Sequence, residues 1–275
     1  MAVTLLLDCD FLCRRAFYAA KQEAEAVPFM VLRDVQDWIR QFNADRIGFC
    51  WDQRPYLRER ICPGYKARRK DVPEAEREAR QELYRQQDLL RDRYLPFLGF
   101  RNVWRAEGYE ADDLIAAAVK EMNLENLFLT TRGQTTVVVS SDQDLFQLLH
   151  PDVSLYNPIT RVTTTLESFQ QDWCLTPEDW SHVKALAGCS TDEVEGLNGI
   201  GLITAAAYVR GDLKPTGSKY KTIVALAGQA IWRRNLKVVE LPFKGTPRPE
   251  WQVDLTTPER WRRFEEKTGL RNLGV

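Results

Sequence analysis

An α/β fold, with a mainly parallel central sheet and flanking helices followed by a helical second part, is what this chain predicts. Three observations carry that prediction. Short apolar, β-branched or leucine-rich runs recur at Val3–Leu7, Arg46–Trp51 and Thr136–Ser140, as expected of strands buried on both faces. Between them lie segments with apolar residues at helical spacing, such as Met30, Val31, Val35, Trp38, Ile39 and Phe42, which mark core-facing helices. Each strand candidate also runs into a carboxylate: Asp8, Asp52, and then Asp142 with Asp144.

The size and composition set limits on function. At 275 residues, 44% hydrophobic and 28% charged, the chain is an ordinary globular sequence with room for one large or two smaller domains. A net charge of −1 argues against bulk attraction to nucleic acid, although the location of the charge matters more than its sum. Six cysteines without a CxxC pair read as reduced thiols in a cytoplasmic protein. The amino-terminal apolar run is interrupted by Asp8 and Asp10, so neither a signal peptide nor a membrane span is expected. Two histidines leave little basis for His-centred catalysis.

In chain order, Val3–Leu7 is the first strand and ends at Asp8, and Asp10 is placed to cap the helix after it. An Asp-x-Asp at a strand end also opens the haloacid-dehalogenase phosphatases, but the required continuation is missing where Phe11, Leu12 and Cys13 stand. Pro28–Phe42 is a core helix, and the second strand closes at Asp52. A basic stretch with interleaved aromatics follows: Arg54, Arg58, Arg60, Lys66, Arg68, Arg69 and Lys70 with Tyr56 and Tyr65. A basic run is usually a solvated face. Beside an acid cluster it suits phosphates and stacked bases, so Arg54, Arg58, Arg68 and Lys70 are candidate nucleic-acid contacts. Residues 73–94 alternate Glu and Arg with few large apolar side chains, which predicts an exposed helix projecting in part from the body.

A third strand, Phe100–Arg105, leads to the most acidic stretch, Glu107-Gly-Tyr-Glu110-Ala-Asp112-Asp113, at the front of an apolar helical run. The fourth strand leads to Asp142 and Asp144. A hairpin is expected around Asn157-Pro158, and the pattern turns helical after residue 165. Thr176-Pro177-Glu178-Asp179 is a strong helix start, and Gly196-Leu-Asn-Gly199-Ile-Gly201 opens a further helix. Tyr220–Arg234 reads as a helix, Leu236–Leu241 as a short strand-like run, residues 241–249 as a Pro-rich linker, and Thr256–Leu270 as a capped terminal helix packing Trp261 and Phe264 inward. The division expected is therefore 1–165 and 166–275.

Acids at the carboxyl ends of several parallel strands converge on one edge. Like charges about 4 Å apart repel by roughly 4 kcal/mol at an effective dielectric of about 20, so such a cluster calls for cations. Hard oxygen donors without a His or Cys set point to Mg²⁺ or Mn²⁺.

Taken together, Leu-Leu-Leu-Asp8, Trp-Asp52, Tyr65-Lys66-x-x-Arg69, Glu110-Ala-Asp112-Asp113, Ser-Ser-Asp142-x-Asp144 and Gly196-Leu-Asn-Gly-Ile-Gly201 resemble the 5′-nuclease family. That family comprises flap endonucleases, phage 5′–3′ exonucleases and the 5′-nuclease domain of bacterial DNA polymerase I. The match runs in order over about residues 3–210, and with no polymerase domain following it looks like the stand-alone phage form. The resemblance implies a divalent-metal phosphodiesterase acting on DNA 5′ ends, flaps and branch points in replication or repair. It implies Asp8, Asp52, Glu110, Asp112 and Asp144 around a first ion with Asp113 and Asp142 assisting, and Asp142, Asp144 and Asp192 around a second. It further implies that Lys66 and Arg69, at the base of a helical arch over about 65–95, neutralise the scissile phosphate while Tyr65 stacks on a base. Gly199 and Gly201 would belong to a helix-three-turn-helix (about 176–210) gripping duplex phosphates, with a K⁺ ion. A replication polymerase is the expected partner and a monomer the expected state. The family pattern departs at Cys189, which replaces a carboxylate, and at Glu193, which replaces an amide. Two other readings share these residues: a ribonuclease acting on RNA–DNA hybrids, and a branched-DNA-binding protein with an impaired second metal site.

Overall fold

A computed structural model describes residues 2–21, 23, 25–67, 73–128 and 134–270, with the backbone alone for 124–128. The strands are β1 (Val3–Asp8), β2 (Arg46–Cys50), β3 (Val103–Trp104), β4 (Thr135–Val139), β5 (Val153–Asn157) and β6 (Val162–Thr164). They form one sheet in the order β3-β2-β1-β4-β5-β6. All neighbours are parallel except β5 and β6, which make the hairpin expected around Asn157-Pro158. Leu5, Leu6 and Leu7 are fully buried, because helices cover both faces of the sheet, and this explains the uninterrupted apolar runs. Gly48 sits mid-strand where a Cβ would lie 2.4 Å from the Trp104 ring, so the bare backbone admits the indole of β3.

After β2 comes the short α3 (Tyr56–Ile61), and on one face of the sheet lie α1 (Cys9–Ala19), α2 (Ala26–Phe42), α4 (Glu74–Leu89), a π-helical turn (Leu90–Tyr94) and α5 (Leu95–Leu98). Their core includes Phe17, Leu32, Phe49 and Leu90. The expected arch region therefore divides. The first turns of α4 are exposed, while Leu83, Gln86, Gln87 and Leu90 are buried. Gln86 Oε1 accepts the Val27 N–H at 3.0 Å, satisfying an orphan donor in the first turn of α2. On the other face α6 (Ala111–Phe128) packs with α7 (Leu166–Trp173), α8 (Pro177–Ala187) and α9 (Leu202–Val209), around Ile115, Phe169, Trp180 and Ala205. One apolar cluster thus crosses residue 165. Between α8 and α9 a small hairpin joins β7 (Gly188–Cys189) to β8 (Val194–Glu195).

Several local expectations are corrected. Asp8, not Asp10, caps α1, its Oδ1 accepting the Phe11 N–H at 3.1 Å. The third strand shrinks from Phe100–Arg105 to Val103–Trp104, since it pairs only with β2 at its end. The run at 236–241 is not a strand: α11 (Leu226–Val239) continues into it as far as Val239, and the helix expected at 220–234 divides into α10 (Ser218–Val224) and α11. Asn235 explains part of this, because its Nδ2 donates to Ala185 O and Glu195 O, both at 2.9 Å. The Pro-rich segment does more than link: its Leu241 N–H donates to Gln147 Oε1 at 3.1 Å and its Phe243 N–H to Asp113 Oδ1 at 2.8 Å. Gln252 N–H donates to Asn102 Oδ1 at 2.8 Å, and Leu255 N–H to Gly99 O at 2.8 Å, so the chain covers the β3 side before α12 (Pro258–Thr268) buries Trp261 and Phe264. Among the described residues no helix is long and apolar enough to cross a membrane.

Candidate active site

The sheet order reverses between β1 and β4, and open parallel sheets present their crevice at the carboxyl edge of such a point. Asp8 is the last residue of β1, and its Oδ2 accepts the Ser140 hydroxyl at 2.8 Å just beyond β4. Asp52 follows β2 and accepts the Ala111 N–H at 2.9 Å, at the start of α6. Asp142 follows β4 and accepts the Asp144 N–H at 2.8 Å, opening a 3₁₀ turn (Gln143–Leu148). Each acid is thereby oriented by an amide or hydroxyl. With Glu110, Asp112, Lys66, Lys184, Cys189 and Asp192 they line a cleft of about 390 Å³.

The electrostatics match the geometry. Burial raises the Asp8 carboxyl to about 7, with Asp52 adding to it. Burial raises Asp112 well above the usual carboxylate range, reinforced by Asp142, Asp8, Asp52 and Glu110. Asp10, behind the cleft, is raised to about 8 by burial and Asp52, and its Oδ2 accepts the Asp52 N–H at 2.7 Å. Acids that lift one another in this way form a pocket short of positive charge. Its hard oxygen donors fit a divalent cation.

Two ammonium groups close the other side. Lys66 has a left-handed backbone (φ 51°) and is anchored by its N–H to Asp192 O at 2.9 Å. Its Nζ pairs with Glu110 and lies 3.2 Å from Asp192. Lys184, on α8, lies 2.6 Å from Asp144 Oδ1. Asp144, Cys189 and Asp192 offer donor atoms within 4.8 Å of one another. The β7–β8 hairpin sets this up. Gly188 has φ 75°, and a Cβ on Gly196 would lie 2.1 Å from Ala187 O, so only glycine permits the close approach.

Three of the expected residues lie elsewhere than anticipated. Arg58 is 3% exposed and cannot meet DNA from there; it donates to both oxygens of Asp113, and its Nε donates to Val238 O at 2.9 Å. Asp113 is fully buried and turned away from the ligand cluster, also accepting the N–H groups of Glu110 (3.0 Å) and Phe243 (2.8 Å). Successive helical residues point about 100° apart, so Asp112 faces the cleft and Asp113 the interior. Tyr65 is buried too, its hydroxyl donating to Glu110 Oε2 at 2.6 Å, which leaves no open ring face for a base. Arg54 is solvent-facing beside Glu59. Gly199 (φ 75°) and Gly201, the N-cap of α9, have open space where a Cβ would stand. Arg68, Arg69 and Lys70 lie outside the described residues. Sequence reasoning missed Ser140 and Lys184. Ser140 follows a strand directly and was findable by the strand-end rule, whereas a lysine in the last turn of a helix ordinarily reads as a dipole partner.

The model of the 5′–3′ exonuclease amino-terminal, resolvase-like domain matches residues 3–176. The chain belongs to the 5′–3′ exonuclease family. DNA polymerase I of Mycobacterium leprae (strain TN) is 28% identical over 245 residues, 82% of this chain but 25% of that protein. DNA polymerase I of Rhizobium leguminosarum is 32% identical over 163 residues, covering 57% of this chain and 14% of the polymerase. This family member thus spans about a quarter or less of those relatives. Among solved structures, T5 5′-exonuclease with bound divalent zinc has the same fold, with a TM-score of 0.72 at 20% identity over 87% of this chain and 90% of that one. Human GEN1 in complex with Holliday junction DNA gives a TM-score of 0.60 at 12% identity, covering 98% of this chain and 68% of that one.

Proposed function

We propose that this chain is a divalent-metal-dependent 5′ nuclease that hydrolyses phosphodiester bonds in DNA at 5′ ends, flaps and branch points. The observation that carries this reading is the convergence of Asp8, Asp52, Glu110, Asp112 and Asp142 from separate elements into one cleft bordered by Lys66. These acids are the residues to hold a Mg²⁺ or Mn²⁺ ion. Such an ion, when bound, supplies Lewis acidity toward a phosphate oxygen and eases deprotonation of water. Lys66 offsets negative charge on the phosphate entering beside Glu110. Tyr65 and Arg58 orient Glu110, the latter from 3.5 Å. Arg54, with Arg68 and Lys70 beyond it in sequence, is assigned to backbone phosphates, which position DNA without reading its bases, and Arg69 joins Lys66 at the scissile phosphate. Gly199 and Gly201 leave backbone accessible ahead of α9, which suits duplex phosphates and a K⁺ ion. The helical part after residue 166 is the proposed duplex-binding region, and a replicative or repair polymerase the proposed partner.

An end-labelled 5′-flap duplex, a nicked duplex and an RNA–DNA hybrid incubated with Mg²⁺, with and without EDTA, test this reading. Release of short 5′ products from the flap, abolished by EDTA, is expected. Asp112→Asn should lower the cleavage rate by about 100-fold or more, since even outer partners of metal ligands are worth about 10–100-fold. Binding of the flap in Ca²⁺ should persist. Cleavage of the hybrid alone would move the substrate to RNA, and EDTA-resistant cleavage would exclude the mechanism.

A further inference from the structure

We propose that Lys184 stands where a second divalent ion would sit, so that this chain holds a single hard divalent ion in its cleft. The inference rests on the metal-dependent reading above and concerns the Asp144–Cys189–Asp192 corner. Those three donor atoms lie within 4.8 Å of one another, compact enough for an ion. Their chemistry does not fit a second Mg²⁺. The Asp144 carboxylate already faces the Lys184 ammonium at 2.6 Å. Lys184 is 8% exposed, so α8 delivers its charge as a fixed feature of the wall. The Asp192 carboxylate faces Lys66 at 3.2 Å.

The third donor is sulfur. Cys189 Sγ lies 3.0 Å from Thr191 Oγ1 and donates to Asp192 Oδ2 at 3.4 Å. A hard cation that takes oxygen ligands gains little from a thiol. Each carboxylate of the corner thus already faces an ammonium group, Asp144 that of Lys184 and Asp192 that of Lys66, which Glu110 shares. The opposite half of the cleft differs: Asp8, Asp52 and Asp142 are held by hydroxyl and amide donors, which orient charge without cancelling it.

The test is an ion count on the whole chain. Mn²⁺ bound per chain is read from the loss of the free-ion electron paramagnetic resonance signal, with flap cleavage assayed separately. The wild-type chain should bind one Mn²⁺, and the double variant Lys184→Met, Cys189→Asp should bind two. Two ions on the wild type would overturn the inference, as would one ion on a folded double variant. Should the double variant fail to fold, the wild-type count decides. Co²⁺ provides a second check, because a thiolate-to-metal absorption band lost in Cys189→Ser would place a metal on the sulfur and overturn the proposal. A wild-type chain that binds two ions and cleaves flaps would reject only this inference, whereas no bound ion and no cleavage would reject the functional reading with it.

Discussion

Asp112 and Asp113 are neighbours with opposite physical roles. Asp113 is fully buried against the Arg58 guanidinium, and removing one partner of such a pair strands a charge in the interior. Asp113→Asn should therefore destabilise the fold by about 3 kcal/mol, seen as a lower denaturation midpoint. Asp112→Asn removes a carboxylate that its neighbours oppose, so the ion-free protein should be at least as stable as wild type. Equal stability losses for the two variants, measured by urea unfolding, would contradict this division. The sequence pattern placed both acids at the front of α6 and could not separate them. What separates them is the partner: Arg58 lies in a run that reads as surface, yet Val238 O, Asp113 and the Phe243 ring, 4.8 Å from its guanidinium, enclose it. A contact spanning 180 residues leaves no local trace in composition or periodicity.

At the level of elements, the strands that carry the acids were legible because burial on both faces demands unbroken apolar runs, and parallel pairing sends their carboxyl ends to one edge. The last turn of α11 was not, because Leu236–Leu241 has the spacing of a short strand, and Asn235, bridging α8 and β8, ties the segment down from outside it. The β7–β8 hairpin is the most demanding element. Gly196→Ala would drive a methyl group into the Ala187 backbone, and overpacking of this kind typically costs about 1–3 kcal/mol. Because the same hairpin holds Cys189 and Asp192 and receives the Lys66 N–H, cleavage should fall along with stability. A Gly196→Ala protein with wild-type thermal midpoint and rate would show that the hairpin does not position these residues.

Across the whole molecule, residues from distant parts of the chain are held together against their own repulsion. Burial and Asp52 raise Asp8 to about 7, and burial and Asp142 raise Asp144 to about 6, against an ordinary value of 3.8. A raised carboxyl pKa means that the folded chain holds the proton more tightly than the unfolded chain. The associated stability is therefore present below about pH 4 and is lost as pH rises toward about 7. The ion-free protein should be less stable at about pH 8 than at about pH 5, and a cation that binds only the folded chain should recover the difference by mass action.

Scanning calorimetry of the EDTA-treated protein at those two pH values, without and then with Mg²⁺, tests the charge-deficient cleft most directly. The midpoint should fall from the lower to the higher pH without the ion, and Mg²⁺ should raise it more at the higher pH. A midpoint independent of both pH and Mg²⁺ would contradict the proposal that these carboxylates gather to hold a cation.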